Sequence, residues 1–451
     1  MTGEVTRREA ASQLPAKAAV GTLVLDMITK DVARWAARRN LAPVALSGFS
    51  LGFAIIAAGW LTDVSGPGAI ISFFALLVSF VACGSARVYA GRVEATGQVS
   101  AKVDWAQAAC ALLAEIAVYA GIAIGAARSA TAAGGAGMTG PFGPALRATS
   151  VATLGGAGTS GVWMLAIVAA VLLGVREMAN LGVAAAKART YMIEGPHAAR
   201  RILVPAPPSG IRLVFLAVVV YLAGARAGFL LAFVIGGLAL LARFGVTGRN
   251  SGVIGYRGDG PLSVWMGGFV DGRLPPAPPI FVGLLVIAVM TAFGMRDLGL
   301  IAFAPAVAML VAALGCWHPH DGPRDWLVPP LLQVGEYVFL VALGFGAHVQ
   351  PPITFALVTA VALRHFDLAY RTRNQVSPSW FMRQLAFRPP RFPGADWRGL
   401  GWEGRMLVAA VAAAAGIVPY AYPVFAVYLW LLLAREALTG WAAMPNADVE
   451  A

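Results

Sequence analysis

Apolar runs long enough to cross a bilayer alternate with short polar segments along most of the chain. They fall at about 44–62, 69–90, 105–126, 160–183, 211–226 and 228–244, then at about 279–294, 298–316, 327–346, 352–370, 405–419 and 421–440. A hydrocarbon core of ~30 Å needs about 20 helical residues, so these runs predict an all-α polytopic membrane protein with about 12 transmembrane helices. The polar segments alternate in charge. Basic residues precede the first run (Arg34, Arg38, Arg39) and follow the second, fourth, sixth and tenth (Arg87, Lys187, Arg249, Arg371), whereas Thr62 to Gly68 has none. The positive-inside rule then places both termini in the cytoplasm.

Ordered anchors recur along the two sets of runs. Asp104-Trp105 and Glu115 repeat as Asp325-Trp326 and Glu336, both Asp-Trp-x9-Glu. Leu41-Ala-Pro43 stands 40 residues before Cys83, and Leu274-Pro-Pro276 stands 40 residues before Cys316. Gly210-Ile-Arg212 has a counterpart in Gly404-Arg405, and Leu-Leu-Ala-Arg243-x3-Thr247-Gly248 in Leu-Leu-Ala-Arg435-x3-Thr439-Gly440. These anchors predict one ancestral unit used twice. The expected organisation is a cytoplasmic segment with an amphipathic helix (1–40), a six-span half (41–248), a Gly/Pro-rich cytoplasmic linker (249–278) and a second, diverged six-span half (279–451). An even number of spans before the linker makes the halves parallel repeats. The Gly/Ala/Ser/Thr-rich stretch from Ala127 to Gly161 reads as a flexible non-cytoplasmic loop.

Composition agrees with the pattern: 59% hydrophobic, 12% charged and a mean hydropathy of +0.73 exclude an ordinary soluble domain. The net charge of +12 sits between apolar runs, so it implies cytoplasmic loops and no nucleic-acid partner. Arg371, Arg373 and Arg383 to Arg398, interleaved with Trp380, Phe381, Phe387, Phe392 and Trp397, form a basic loop suited to anionic lipid. Cys83, Cys110 and Cys316 lack ligand spacing and read as buried thiols. The first 40 residues hold no signal-peptide apolar region or cleavage site, so the first span is expected to direct insertion.

Ala33-Arg-Trp-Ala-Ala-Arg-Arg-Asn-Leu-Ala-Pro43, Thr96-Gly-Gln-Val-Ser100 with Trp105, and Glu115-Ile-Ala-Val-Tyr-Ala-Gly121 carry a family resemblance. Over about residues 25 to 245 the chain resembles the CDP-alcohol phosphotransferase (phosphatidyltransferase) family, and through the repeat the second half does so indirectly. The resemblance implies a six-span unit, pairing of such units, and phospholipid-headgroup or polyol-phosphate transfer. It also implies the pattern D-x2-D-G-x2-A-R-x8-G-x3-D-x3-D, whose aspartates hold two divalent cations against the donor pyrophosphate and deprotonate the acceptor alcohol. Here the first pair falls near Ala86/Arg87 and Tyr89/Ala90, the second on Gln107 and Ala111, and the intervening glycine on Val103. No metal-binding carboxylate remains in that half. In the second half His318-Pro-His320-Asp321-Gly322 stands where D-x-x-D-G would. His318, His320, Asp321 and Asp325 are therefore candidate catalytic or metal-binding residues, with Asp321 the first candidate ligand; the other reading is a polar cytoplasmic turn.

Ionisable residues in or beside spans need partners or an aqueous cavity. Repeated positions predict two buried pairs, Glu115–Arg176 and Glu336–Arg364. Asp104, Arg212, Asp367, Glu403 and Arg405 are further polar intramembrane candidates. Such pairs either lock helix packing or line a cavity for a phosphate or headgroup. The expectation is a bacterial inner-membrane pseudoenzyme, or a lipid-binding or scaffold subunit that engages membrane lipids, a CDP-linked lipid or an active lipid synthase, with a homodimer as a further arrangement. The alternatives are an active phosphotransferase using the second-half polar cluster with Mg²⁺ or Mn²⁺, and a membrane transporter.

Overall fold

In a computed structural model the chain is an all-helical polytopic membrane protein. The structure describes residues 20–63, 66–94, 101–133, 158–194, 209–249, 260–270, 277–294, 327–373 and 398–443, with a few isolated positions between them. Its helices are α1 (Val20–Arg38), α2 (Pro43–Leu61), α3 (Gly66–Glu94), α4 (Ala101–Ala133), α5 (Gly158–Glu194), α6 (Ser209–Ala223) and α7 (Ala225–Arg249). They continue with α8 (Pro261–Val270), α9 (Ala277–Gly294), α10 (Val328–Gly346), α11 (Pro351–Arg373), α12 (Gly401–Ala414) and α13 (Val418–Ala443). Among the described residues eight helices are long and apolar enough to cross a membrane, and α6 and α9 contribute shorter apolar segments. The expected span at 298–316 lies mostly outside the described residues.

Local sequence accounts for the boundaries. Pro43 opens α2, and Pro329 and Pro330 stand in the first turn of α10, where a missing N–H costs nothing. Those two prolines therefore start α10 rather than interrupt it. Gly224 (φ +91°) separates α6 from α7, and Gly416 (φ +69°) separates α12 from α13. Both occupy backbone that a side chain at Cβ disfavours, which permits a hairpin of almost no length.

The region expected to be a plain linker contains α8. Its Gly/Pro content conceals a short apolar segment, Leu262 to Phe269, that packs on α12. The Ser263 amide donates to Glu403 Oε1 at 3.1 Å, and Gly260 lies against the Leu400 carbonyl. The stretch expected to be loop between Ala127 and Gly161 is helical at its ends, since α4 runs to Ala133 and α5 starts at Gly158; most of what lies between is outside the described residues.

α2, α3 and α4 pack closely, and α5 packs on α4 and α7. The two halves of the chain meet through α5 and α11, which are the fourth and tenth predicted runs. Trp163 and Phe355 stack edge to face across this contact at 5.7 Å. Gly174 admits the Tyr337 hydroxyl, and Trp105 Nε1 donates to Asp367 Oδ1 at 2.9 Å. In a bilayer, where lipid is as apolar as leucine, such close packing and interhelical hydrogen bonds supply the association energy.

Candidate functional site: two buried charge clusters and a cleft

Glu115 lies mid-helix on α4 and is 2% exposed. Arg176, from α5, grips it with both ends of the guanidinium, Nη1 to Oε2 and Nη2 to Oε1, each at 3.0 Å. The expected first pair is thus made. A second cation joins it: Arg212, in the first turn of α6, donates from Nη2 to Oε1 at 2.8 Å. The cluster extends through Glu177, which accepts from Arg176 at 2.9 Å and from Asn180 at 3.0 Å, to Arg243 on α7, which donates to Asn180. One carboxylate therefore ties α4, α5 and α6, and the Glu177–Asn180 link adds α7.

The second cluster is arranged differently from the expectation. Glu336 on α10 does not take Arg364. Its carboxylate accepts from Arg405 of α12 (Nη2 to Oε2, 3.0 Å, with Nε on Oε1) and lies 2.7 Å from His365 Nε2. Arg364 instead pairs with Glu436 on α13. Adjacent residues on a helix project about 100° apart, so His365 and Arg364 face different neighbours. Arg405 is the counterpart of Arg212, so the contact shared by both clusters joins a third-run glutamate to a fifth-run arginine. The equal spacing of Gly210-Ile-Arg212 and Gly404-Arg405 from the repeat anchors already carried that signal. Glu436 had none, because it follows Arg435 in a run of ordinary apolar spacing.

Exchanging Arg364 and Glu436 tests this assignment. Arg364→Glu or Glu436→Arg alone leaves two like charges facing each other at a buried position and is expected to lower stability by about 3–5 kcal/mol. The double exchange is expected to recover most of the loss in thermal stability measured in detergent. Recovery by Glu336→Arg with Arg364→Glu instead would reverse the assignment.

The remaining candidates separate. Glu403 is fully buried and tethers α8, and Asp367 accepts from Trp105 at the contact between halves. Asp104 is exposed at the start of α4, which corrects its expected intramembrane position: the helix begins at Ala101, so Asp104 stays in its first turn. His318, His320, Asp321 and Asp325 lie outside the described residues. Among the described residues no group of three or more His, Cys, Asp or Glu side chains is placed to hold a metal ion.

The positions that the family pattern would fill with aspartates do adjoin one another. Gln107 Nε2 donates to the Ala86 carbonyl at 3.1 Å, bridging α4 and α3. The donors there are an amide and backbone, with alanine at 86 and 111, so the residues present do not fit a divalent cation.

A cleft opens beside the first cluster. It encloses roughly 520 Å³, open space at its mouth included, and is lined by Glu115, Tyr119, Arg176 and Arg212 at one end and by leucine and isoleucine of α5, α6 and α7 elsewhere. No counterpart with charged walls adjoins Glu336, whose partners Arg405 and His365 are 0% and 1% exposed.

Residues 257–451 match the model of a family of unknown function, DUF5941, a segment that begins just ahead of α8 and runs through α13. No curated protein and no solved structure matches the chain.

Proposed function

We propose that the protein is a non-catalytic, lipid-binding relative of the CDP-alcohol phosphotransferases. It sits in a bacterial cytoplasmic membrane as two parallel six-span halves, with both termini inside. The single observation that carries this reading is the Gln107–Ala86 contact. The positions where the family needs facing carboxylates are adjacent across α3 and α4, yet they hold an amide bonded to backbone. A neutral amide supplies neither the charge that a divalent cation requires nor a base for an alcohol. The cleft beside Glu115 supports the binding half of the reading, because it joins guanidinium donors to apolar walls. Two further likenesses support the fused pair: the Arg212–Glu115 and Arg405–Glu336 contacts, and the meeting of the halves through α5 and α11.

The test is CMP release from purified protein given CDP-diacylglycerol, labelled alcohol acceptors and Mg²⁺ or Mn²⁺. No release above a protein-free control is expected with any acceptor. Metal-dependent release that disappears in Asp321→Asn would overturn the non-catalytic reading and place chemistry in the second half.

A further inference from the structure

Arg212 and Arg405 are counterparts, yet their guanidinium groups are spent differently. Arg405 is completely buried and all three of its nitrogens are engaged: Nε and Nη2 on Glu336, and Nη1 on the Gly399 carbonyl at 3.1 Å. Arg212 commits Nη2 to Glu115, while its Nε is buried with no hydrogen-bond partner. A buried N–H without an acceptor is costly, about 1–3 kcal/mol and more on a charged group, so native structures supply one. The acceptor belongs in the cleft, since Arg212 lines it and Arg176 stands beside it.

The walls identify the acceptor's other end. Beyond the guanidinium groups the cleft runs between Leu213 and Leu216 of α6 and Leu231 and Ile235 of α7. The neighbouring Val234 and Leu238 of α7 are exposed at 52% and 64%, so the mouth opens on the apolar, bilayer-facing side of that helix. An inorganic ion gains nothing from such walls, whereas an acyl chain does. Charge sets the headgroup. Arg176 already spends its donors on Glu115 and Glu177, which leaves one open guanidinium edge for one anionic oxygen.

We propose that this cleft binds the phosphodiester of a monoanionic phospholipid drawn from the bilayer, with an anionic oxygen on Arg212 and acyl chain along α6 and α7. The inference rests on the lipid-binding reading above and specifies its ligand class. A zwitterionic headgroup would bring a cationic amine against two guanidinium groups. A phosphomonoester would bring a second charge for which no donor is open.

The test uses the full-length protein in dodecyl maltoside, titrated with phosphatidylglycerol, phosphatidylcholine or phosphatidic acid, with retention read by native mass spectrometry. Phosphatidylglycerol is expected to bind at least tenfold more tightly than the other two, and Arg212→Gln is expected to abolish that preference. Because Arg212→Gln also removes a partner of Glu115, a second variant fills the cleft without touching the ion cluster. Gly236 lines the cleft and a Cβ there meets nothing within 4 Å, so Gly236→Leu is expected to fold normally and to lose the lipid. Equal retention of the three lipids would overturn the ligand class while leaving lipid binding standing. Retention undiminished in folded Gly236→Leu would overturn the location. Displacement by millimolar inorganic phosphate would assign the site to a free anion instead. Absence of any retained lipid would remove the lipid-binding reading as well.

Discussion

Replacing Glu336 by leucine is expected to cost about 3–5 kcal/mol, the largest loss from any single side chain in the second half. The residue is fully buried, and its carboxylate is the shared partner of Arg405 and His365. Removing it strands a guanidinium that is itself 0% exposed, and Arg405 cannot escape by losing its proton, since its affinity for it is too high. The effect should read as loss of monodisperse protein on size exclusion. Glu336→Gln is expected to cost less, because the amide oxygen still accepts from Arg405 while the charge is lost. The double variant Glu336→Leu with Arg405→Leu is expected to recover much of the loss, since no uncompensated charge then remains in the bundle. If the double variant is no better than Glu336→Leu alone, Glu336 acts through something other than Arg405.

A comparable collapse is expected from Gly125→Leu, of about 3 kcal/mol or more, the upper end of overpacking. A Cβ at Gly125 would stand 2.2 Å from the Leu61 carbonyl oxygen, and one at Gly121 would stand 2.4 Å from that of Ala58. Both obstacles are backbone of α2, which cannot swing aside as a side-chain tip can. The glycines lie four residues apart on one face of α4, the spacing that lets two membrane helices approach closely. Even Gly125→Ala should destabilise, although alanine favours a helix by about 1 kcal/mol over glycine. Gly52 supplies the control: it is exposed on α2 and a Cβ there meets nothing within 4 Å, so Gly52→Ala should be neutral or slightly stabilising. Thermal unfolding of the three variants in one detergent compares them. Equal stability of Gly125→Ala and Gly52→Ala would show that α2 and α4 do not approach this closely.

These two results bracket what holds the bundle together. The glycine pair removes steric volume so that helices touch, and the clusters satisfy charges that would otherwise be intolerable in hydrocarbon. A buried ion pair contributes little against a well-packed apolar alternative, yet breaking one is expensive. The clusters therefore enforce one arrangement of helices more than they add net stability. Where one of them keeps an unsatisfied donor, as at Arg212, that arrangement leaves room for a ligand.

The sequence by itself determined that the chain is helical and membrane-embedded, and roughly where its helices run. Those properties follow from the length and hydropathy of local segments, because backbone in hydrocarbon must satisfy its hydrogen bonds within the segment. It also marked Glu115, Arg176, Glu336 and Arg405 as significant, since charge in an apolar run is costly wherever its partner lies. The four-residue spacing of Gly121 and Gly125 was legible too. Partner choice was not. Arg364 and Arg405 stand on different helices at comparable depth from Glu336, and only the rotation of α11 turns His365 inward and sends Arg364 to Glu436. The docking of α8 was hidden for a similar reason, as glycine and proline counts describe backbone freedom and not the neighbour that a short apolar segment finds. The difference between Arg212 and Arg405 likewise belongs to the tertiary structure alone. Equivalent residues in equivalent runs become a saturated lock or an open donor according to how closely the surrounding helices pack.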